Sequence, residues 1–159
     1  MKHLIPCLTL AASLAAGPAA MAASAALAAP IHQFIDAFDK GDMKTAAAAY
    51  EPSGVVIIDE VAPHLWRGPK AFETWVADLA ADSRSQGLSD EHVALGPASR
   101  EEVTRARAYV IVPAVYTFRK AGVAMREAAQ MTFVLRRGPG GWKIAAWTFT
   151  GPGATPAGR

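Results

Sequence analysis

The sequence predicts a single α+β domain, with helices in its N-terminal half and a long antiparallel sheet in its C-terminal half. Residues 106–120, 123–137 and 142–151 form three stretches in which side chains alternate between two faces, as in β-strands. Gly122 and the glycine-rich run 138–141 separate them as hairpin turns. Three segments that precede these strands carry apolar residues at helical spacing. A chain of 159 residues is long enough to bury one core of its own.

The first 28 residues have the composition of a secretory signal peptide, and we expect them to be removed. Lys2 gives a basic start, and the run that follows is rich in Ala and Leu. Small residues at 20–22 and at 26–28 both fit a peptidase cleavage site, so the position of the cut stays open. An uncleaved membrane anchor is the alternative, although Ala is weakly hydrophobic and Pro18 interrupts the run. The predicted location is secreted or periplasmic, without membrane contact after cleavage.

Cysteine content and charge exclude several classes of protein. Cys7 is the only cysteine and lies in the leader, so a mature chain has no disulfide, thiolate nucleophile or cysteine-bound metal. The formal net charge is +2 and the basic residues are scattered, which argues against a nucleic-acid partner. His32 and His92 lack the spacing of a metal-binding pair. The sequence therefore predicts no metal and no other cofactor.

Two helices are predicted at the start of the mature chain. Pro30 suits the first position of a helix, where its missing N–H costs nothing. One apolar stripe follows at helical spacing: Ile31, Phe34, Ile35 and Phe38. Gly41 ends this helix, and Asp42 is placed to cap a second one over residues 43–50. A turn at residues 51–54 separates this helix from the first strand.

The most polar part of the predicted domain follows a short strand at residues 55–61. Asp59, Glu60 and His64 lie there within six positions of one another. A carboxyl group in an apolar setting has a raised pKa, and a histidine titrates near neutrality, so such a pair is suited to proton transfer. Carboxylates that accept turn N–H groups, beside a solvated loop histidine, are the structural alternative. We single out Asp59 and His64 as candidate catalytic residues.

The remaining segments complete the predicted element order. A third helix is expected over residues 70–85, with one buried stripe of large apolar side chains. A strand follows over residues 90–98, and a polar turn over residues 99–104. The Pro- and Gly-containing tail at 152–159 is expected to be flexible. The pattern shows neither an internal repeat nor a second domain.

This order of elements resembles the nuclear transport factor 2 superfamily and, within it, a SnoaL-like member. The motifs that carry the resemblance are FIDAFDKGD (34–42), IIDE (57–60), WRGPKAF (66–72), AYVIVPAVYTF (108–118), MTFVL (131–135) and GWKIAAWTF (141–149). The resemblance implies a curved antiparallel sheet wrapped around three N-terminal helices, a cystatin-like cone, over residues 29–151. It also implies a ligand pocket at the open end of the cone and a homodimer through the outer sheet face. One fold hosts many activities, so the resemblance alone does not define a reaction.

In such a cone Asp59 and His64 are expected near the pocket mouth. The residues expected to bind the ligand are Phe34, Trp66, Tyr116, Gln130, Met131 and Trp147. The predicted function is binding of a small apolar molecule; the alternative is an acid–base enzyme of the isomerase, dehydratase or cyclase type that uses Asp59 and His64. The ketosteroid isomerases of this superfamily carry a Tyr that donates to the oxyanion, and this chain has Phe34 at that position. They also carry a second acid at a position near Met131, where this chain has none. Their set of catalytic residues is therefore incomplete here.

Overall fold

The computed structural model describes residues 17–158, which form an open, curved sheet packed against three helices. The helices are α1 (Pro18–Asp39), α2 (Met43–Ala47) and α3 (Ala71–Gln86). The eight strands are β1 (Val55–Ile58), β2 (Leu65–Gly68), β3 (Leu88–Leu95), β4 (Arg100–Val103), β5 (Arg107–Lys120), β6 (Val123–Gly138), β7 (Gly141–Thr150) and β8 (Thr155–Pro156). The predicted α+β class, with a curved sheet around three helices, is confirmed.

The sheet is built around the three long strands that alternation predicted. Its order is β2–β1–β7–β6–β5–β3, with β4 added to β5 and β8 added to β6. Neighbouring strands run antiparallel, except that β1 runs parallel to β7. The predicted antiparallel sheet thus contains one parallel pair. No hairpin joins β1 to β7, so no tight turn sets their relative direction.

The core lies between the concave face of the sheet and the apolar stripe of α1. One row of paired residues crosses the sheet from β1 to β5 and is almost fully buried: Ile57, Trp147, Phe133 and Val110. Ile31 and Phe34 of α1 are buried in the same core. Removing a side chain of this size from water stabilises the fold by about 1.5–3 kcal/mol. This packing brings α1 over the sheet and leaves its C-terminal end near the cavity described below.

Helix α1 begins earlier than predicted. It runs through Pro30 and back to Pro18, whereas a start at Pro30 was expected. Alanine has the highest helix propensity, so the Ala-rich run favours helix despite the hydrogen bond that a proline removes. Leu27 also extends the buried stripe by one turn, because it lies four residues before Ile31. Within residues 17–158, no helix combines the length and the apolar character needed to cross a membrane.

Short elements account for most other differences. The predicted helix over 43–50 ends at Ala47, and the predicted strand over 55–61 ends at Ile58. Strands β2 and β4 form where a loop and a polar turn were expected. Each has only four residues, and β4 is exposed throughout, so neither carries an apolar pattern long enough to detect.

The C-terminal tail also differs from the prediction. Thr155 and Pro156 pair with Arg126 and Met125 of β6 instead of fraying from the domain. The backbone N–H groups of Gly151 and Gly153 are held by carboxylates from other elements. Local composition alone indicated a free end, because these partners come from distant parts of the chain. We call residues 151–156 the C-terminal strap.

Candidate functional site

A cavity of about 590 Å³ lies between the concave face of the sheet and the helices α1 and α3. Its apolar lining includes six Phe and Trp side chains together with Met131: Phe34, Phe38, Trp75, Phe118, Trp147 and Phe149. The rings support one another, with centroids 5.5 Å apart for Phe34 and Trp147 and 5.1 Å apart for Trp75 and Trp147. The size and the lining are typical of a pocket for a small molecule.

Asp59 follows β1 and directs its carboxylate toward α3. Its Oδ2 accepts a hydrogen bond from Nε1 of Trp75 at 2.7 Å, and its Oδ1 accepts one from the backbone N–H of Glu60 at 2.6 Å. Burial raises the pKa of the Asp59 carboxyl, and the hydrogen bonds from Trp75 and Glu60 only partly oppose this effect. Asp59 lines the cavity, as the sequence predicted.

His64 lies at the rim of the cavity but does not pair with the Asp59 carboxylate. Its ring Nδ1 is 3.2 Å from the backbone carbonyl oxygen of Asp59, and its side chain is exposed. The residue has a positive φ of 71°, which turns the chain between β1 and β2. The two predicted catalytic residues are therefore close in space, while their side-chain functional groups form no hydrogen bond with each other.

Four of the six predicted ligand-binding residues line the cavity: Phe34, Tyr116, Met131 and Trp147. Trp66 and Gln130 do not. Trp66 is buried beside α3, where its Nε1 donates to Oδ2 of Asp78 at 2.8 Å. Gln130 is exposed, because it alternates with the inward-facing Met131 on β6 and so points to the convex side of the sheet.

Sequence reasoning missed a pair of polar side chains, Asp39 and His92, at the cavity wall. Asp39 is the last residue of α1 and His92 lies in β3, far away in the chain. Nδ1 of His92 is 2.6 Å from Oδ2 of Asp39. The other carboxylate oxygen of Asp39 accepts a long hydrogen bond of 3.4 Å from the backbone N–H of Val93. Both side chains line the cavity, and together we call them the Asp39–His92 pair.

A β-bulge in β3 determines which of its side chains face the cavity. The register between β3 and β5 shifts between Ser89 and His92, and Asp90 has a positive φ of 54°. After this shift Glu91 turns inward, whereas His92 pairs with the outward-facing Thr117 of β5 and is exposed. Because β3 is the last strand in the sheet order, the His92 side chain lines the cavity at the edge of the sheet. Aspartate is one of the few residues that adopt this backbone region readily, so Asp90 was the available sequence signal. A signal of that kind is weak without knowledge of the strand register.

Glu91 holds a second cavity residue, Tyr116. The hydroxyl of Tyr116 donates a hydrogen bond of 2.6 Å to Oε2 of Glu91. Burial raises the pKa of the Tyr116 hydroxyl well above its ordinary value, and the carboxylate of Glu91 raises it further. Tyr116 therefore stays protonated, and its single O–H is donated to Glu91.

Two further carboxylates fasten the C-terminal strap beside the cavity. Glu127 of β6 is buried and accepts a hydrogen bond of 2.9 Å from the backbone N–H of Gly153. Glu60 accepts one of 3.0 Å from the backbone N–H of Gly151. Burial raises the pKa of the Glu60 carboxyl, and the nearby charge of Glu127 raises it further. Ala154 of the strap lines the cavity, so these contacts position part of its wall.

The Asp39–His92 pair has the arrangement of an oriented general base. When Nδ1–H donates to the carboxylate, a neutral imidazole keeps Nε2 as a free acceptor that can take a proton. Asp39 also stabilises the imidazolium that forms after proton transfer. Asp59, whose pKa is raised, is suited to hold a proton in the same cavity. Among residues 17–158, no group of three or more His, Cys, Asp or Glu side chains is arranged to hold a metal ion.

The fold and the cavity define an α+β cone with a largely apolar pocket and polar residues at its rim. The chain belongs to the SnoaL-like domain family, whose model matches residues 19–148. No curated protein matches the chain at a significant level.

Solved structures with this fold include enzymes and proteins related to them. The hexachlorocyclohexane dehydrochlorinase LinA-type3 from Novosphingobium barchaimii LL02 is 18% identical (87% of this chain, 93% of that chain, TM-score 0.72). A ketosteroid isomerase-like protein from Erwinia carotovora atroseptica SCRI1043 is 19% identical (81% and 95%, TM-score 0.61). A nuclear transport factor 2-like superfamily protein from Salmonella enterica serovar Typhimurium LT2 is 17% identical (87% and 97%, TM-score 0.66). At these identities the similarity shows the fold alone.

Proposed function

We propose that the protein is an acid–base enzyme that removes a proton from a carbon atom of a small, largely apolar molecule. The observation that carries this proposal is the 2.6 Å contact between His92 Nδ1 and Asp39 Oδ2 at the wall of an aromatic cavity. His92 is the base, and Asp39 orients its ring. Asp59 is the acid in the same cavity.

The reaction class is elimination or isomerisation. Nε2 of His92 takes the proton, and the electron pair of the broken C–H bond forms a carbon–carbon double bond. In an elimination the leaving group departs from the neighbouring carbon with its bonding pair, and Asp59 supplies a proton to it. In an isomerisation the proton returns at another carbon. The names of the dehydrochlorinase and the ketosteroid isomerase-like protein are consistent with this class.

A general-base probe tests this assignment without knowledge of the natural substrate. The ring of 5-nitrobenzisoxazole opens when a base removes its C–H proton, and the phenolate product is measured by its absorbance. We expect the protein to accelerate this reaction and His92→Gln to lower the rate by about 10²–10⁴-fold, because general-base catalysis contributes that much. Asp39→Asn should lower the rate in the same direction, since the orienting carboxylate is lost.

His64→Gln is the matched control, because His64 lies on the same rim but contacts only a backbone oxygen. Its rate should equal that of the unaltered protein. If His92→Gln opens the probe as fast as the unaltered protein, or if His64→Gln no longer opens it, His92 is not the base. The alternative pair Asp59 and His64 would then be the catalytic residues. Circular dichroism of each variant checks that the fold is intact.

A second candidate function is binding without turnover. The side chain of His92 is 58% exposed, so the base lies at the mouth and not in a water-excluded interior. Trp75 and Trp147 line the cavity, and quenching of their fluorescence by an apolar aromatic compound would report binding. Binding that survives in His92→Gln, together with no turnover in any variant, would favour this candidate.

We also propose that two copies associate through the convex face of the sheet and that the protein is exported. Two rows of outward side chains are uncharged from β1 to β5: Val56, Ala146, Val134 and Tyr109 in one, and Ile58, Thr148, Thr132 and Ile111 in the other. Charged residues lie only at their ends, on β2 and β4: Arg67, Glu102 and Arg100. Val56, Ile58 and Tyr109 are among the exposed large apolar residues. Such a surface favours contact with another protein. Export is supported by the composition of residues 1–28.

A further inference from the structure

The N-terminal half of α1 belongs in part to the folded domain and in part to the leader. Leu27 is 2% exposed and packs in the core together with Ile31, Phe34 and Ile35. It is among the largest fully buried side chains of the described residues. A chain that began after residue 28 would lack this side chain and leave the core beneath it open.

Ser24 makes a second contact with the domain. Its hydroxyl donates a hydrogen bond of 2.7 Å to Oε1 of Glu101 on β4. Ala25, Ala28 and Ile31 line the same side of α1 against Val110 and Val112 of β5, across a cavity of about 660 Å³. Residues 24–28 therefore cover the edge of the sheet at this end of the domain.

Ala20 and Met21 line the same cavity, but none of residues 20–22 belongs to the buried core. Ala20, Met21 and Ala22 are exposed, and Met21 is 65% exposed although it is a large apolar residue. Removing these residues takes no side chain from the buried core and removes an exposed apolar one from the surface. The difference between residues 20–22 and 24–28 distinguishes the two cleavage motifs that the sequence left open.

We propose that, on export, the leader is cut after Ala22, so that the mature protein begins at Ala23 and keeps Ser24 and Leu27. This inference rests on the proposed export and is independent of the proposed chemistry. The spacing agrees: the small residues at 20 and 22 closely follow the apolar run 4–17, as expected for a peptidase site. A cut after Ala28 satisfies the same small-residue rule but removes the buried leucine.

The test is export of the full chain in a Gram-negative bacterial host, followed by intact mass measurement of the periplasmic product. We expect a single product whose N-terminus is Ala23. Ala22→Leu should block processing, because a large residue at the cut is not accepted, whereas Ala28→Leu should leave the cut at Ala23. A product that begins at Ala29, processing lost in Ala28→Leu, or a full-length chain that is not exported would each overturn the proposal.

A stability measurement on the same exported products tests the burial of Leu27 in the mature protein. It does so independently of the small residues that the peptidase requires at the cut. The product of Leu27→Ala should melt several degrees lower than the unaltered product, because a buried side chain is truncated. Met21→Ala is the matched control: its product should have the same mass and melting temperature as the unaltered one, since residue 21 has been removed. An unchanged melting temperature in Leu27→Ala, or a shifted mass in Met21→Ala, would contradict the assignment. Neither result bears on the base activity of His92.

Discussion

Asp59 is a carboxyl group whose charge is costly at its place in the fold. It is largely enclosed by the cavity wall, and its two hydrogen bonds come from Trp75 and the backbone of Glu60. Burial in a low-dielectric setting disfavours the ionised form, which is why the pKa of Asp59 is raised. The same property suits a proton donor and lowers the stability of the ionised protein.

Asp59→Asn should therefore change how stability depends on pH. The folded state binds the Asp59 proton more tightly than the unfolded state, so this residue stabilises the fold below its unfolded pKa. That contribution is lost as the pH rises through the raised folded pKa. The free energy of unfolding of the unaltered protein, relative to Asp59→Asn, should fall as the pH rises from about 3.9, the ordinary pKa of an Asp carboxyl, through the raised folded pKa. Urea unfolding at several pH values measures it.

Asp42→Asn is a control for which the free energy of unfolding should change with pH in the opposite direction. Hydrogen bonds from Thr45 hold the pKa of Asp42 below its ordinary value, so Asp42 stabilises the fold above its unfolded pKa and loses this effect as the pH falls. The advantage of the unaltered protein over Asp42→Asn should therefore grow as the pH rises. Parallel trends in the two variants would contradict the burial of Asp59.

At the scale of single residues, the sequence indicated which residues lie near the cavity better than it indicated which side chains contact each other. The family resemblance implied a pocket near Asp59, Tyr116 and Met131, and the structure places these three residues along one cavity. The Asp39–His92 pair was missed because the two residues meet only after α1 is packed against β3. Their contact depends on a register shift that no local pattern reports.

At the scale of elements, the bulge in β3 is the feature on which the proposed base depends. Asp90 has a positive φ, which is open to glycine, tolerated by aspartate and strained for a β-branched residue. The exposed contact of Asp90 with Arg119, at 3.4 Å, contributes little. The backbone of residue 90 is therefore more important than its side chain.

Asp90→Val should destabilise the fold by about 1–3 kcal/mol, because a β-branched residue is forced into a positive φ. It should also lower the rate with 5-nitrobenzisoxazole, since a relaxed bulge shifts the register of β3 and displaces His92 from Asp39. Asp90→Gly loses the same contact with Arg119 but permits the backbone, so it should keep the rate. Equal rates in the two variants would show that the bulge does not position His92. Urea unfolding and the probe assay are the measurements.

The C-terminal strap is a second element whose place depends on distant residues. Gly151 packs so closely on Glu127 that a Cβ built on it would overlap the Oε1 atom of that carboxylate. Its backbone N–H is also held by Glu60. The absence of a side chain at residue 151 is therefore needed for the strap to lie beside the cavity.

Gly151→Ala should destabilise the fold by about 1–3 kcal/mol, the usual cost of forcing extra volume into a packed site. Gly140→Ala is the matched control, because a Cβ at residue 140 meets no atom within 4 Å and its φ is not positive. Thermal unfolding of both variants measures the difference. Equal melting temperatures of Gly151→Ala and Gly140→Ala would contradict this packing of the strap.

At the scale of the whole molecule, the long strands could be predicted and the edges of the sheet could not. β5, β6 and β7 are long enough for alternation to show, and their inward residues form the buried row through Phe133. β2 and β4 are four-residue strands whose pairing comes from their neighbours. The parallel contact of β1 with β7 likewise reflects the closure of the whole chain.

The convex face of the sheet supports the last prediction, on oligomeric state. Val134 lies near the middle of this face, in an uncharged row between Tyr109 and Ala146. We expect the unaltered protein to have twice the mass of one chain by light scattering. Val134→Glu should give single chains, because a buried unpaired carboxylate opposes association. Ala81→Glu, an equal change at an exposed position of α3, should leave the mass doubled. An unaltered protein that stays a single chain at high concentration would contradict the dimer, and loss of the dimer in Ala81→Glu would move the interface to α3.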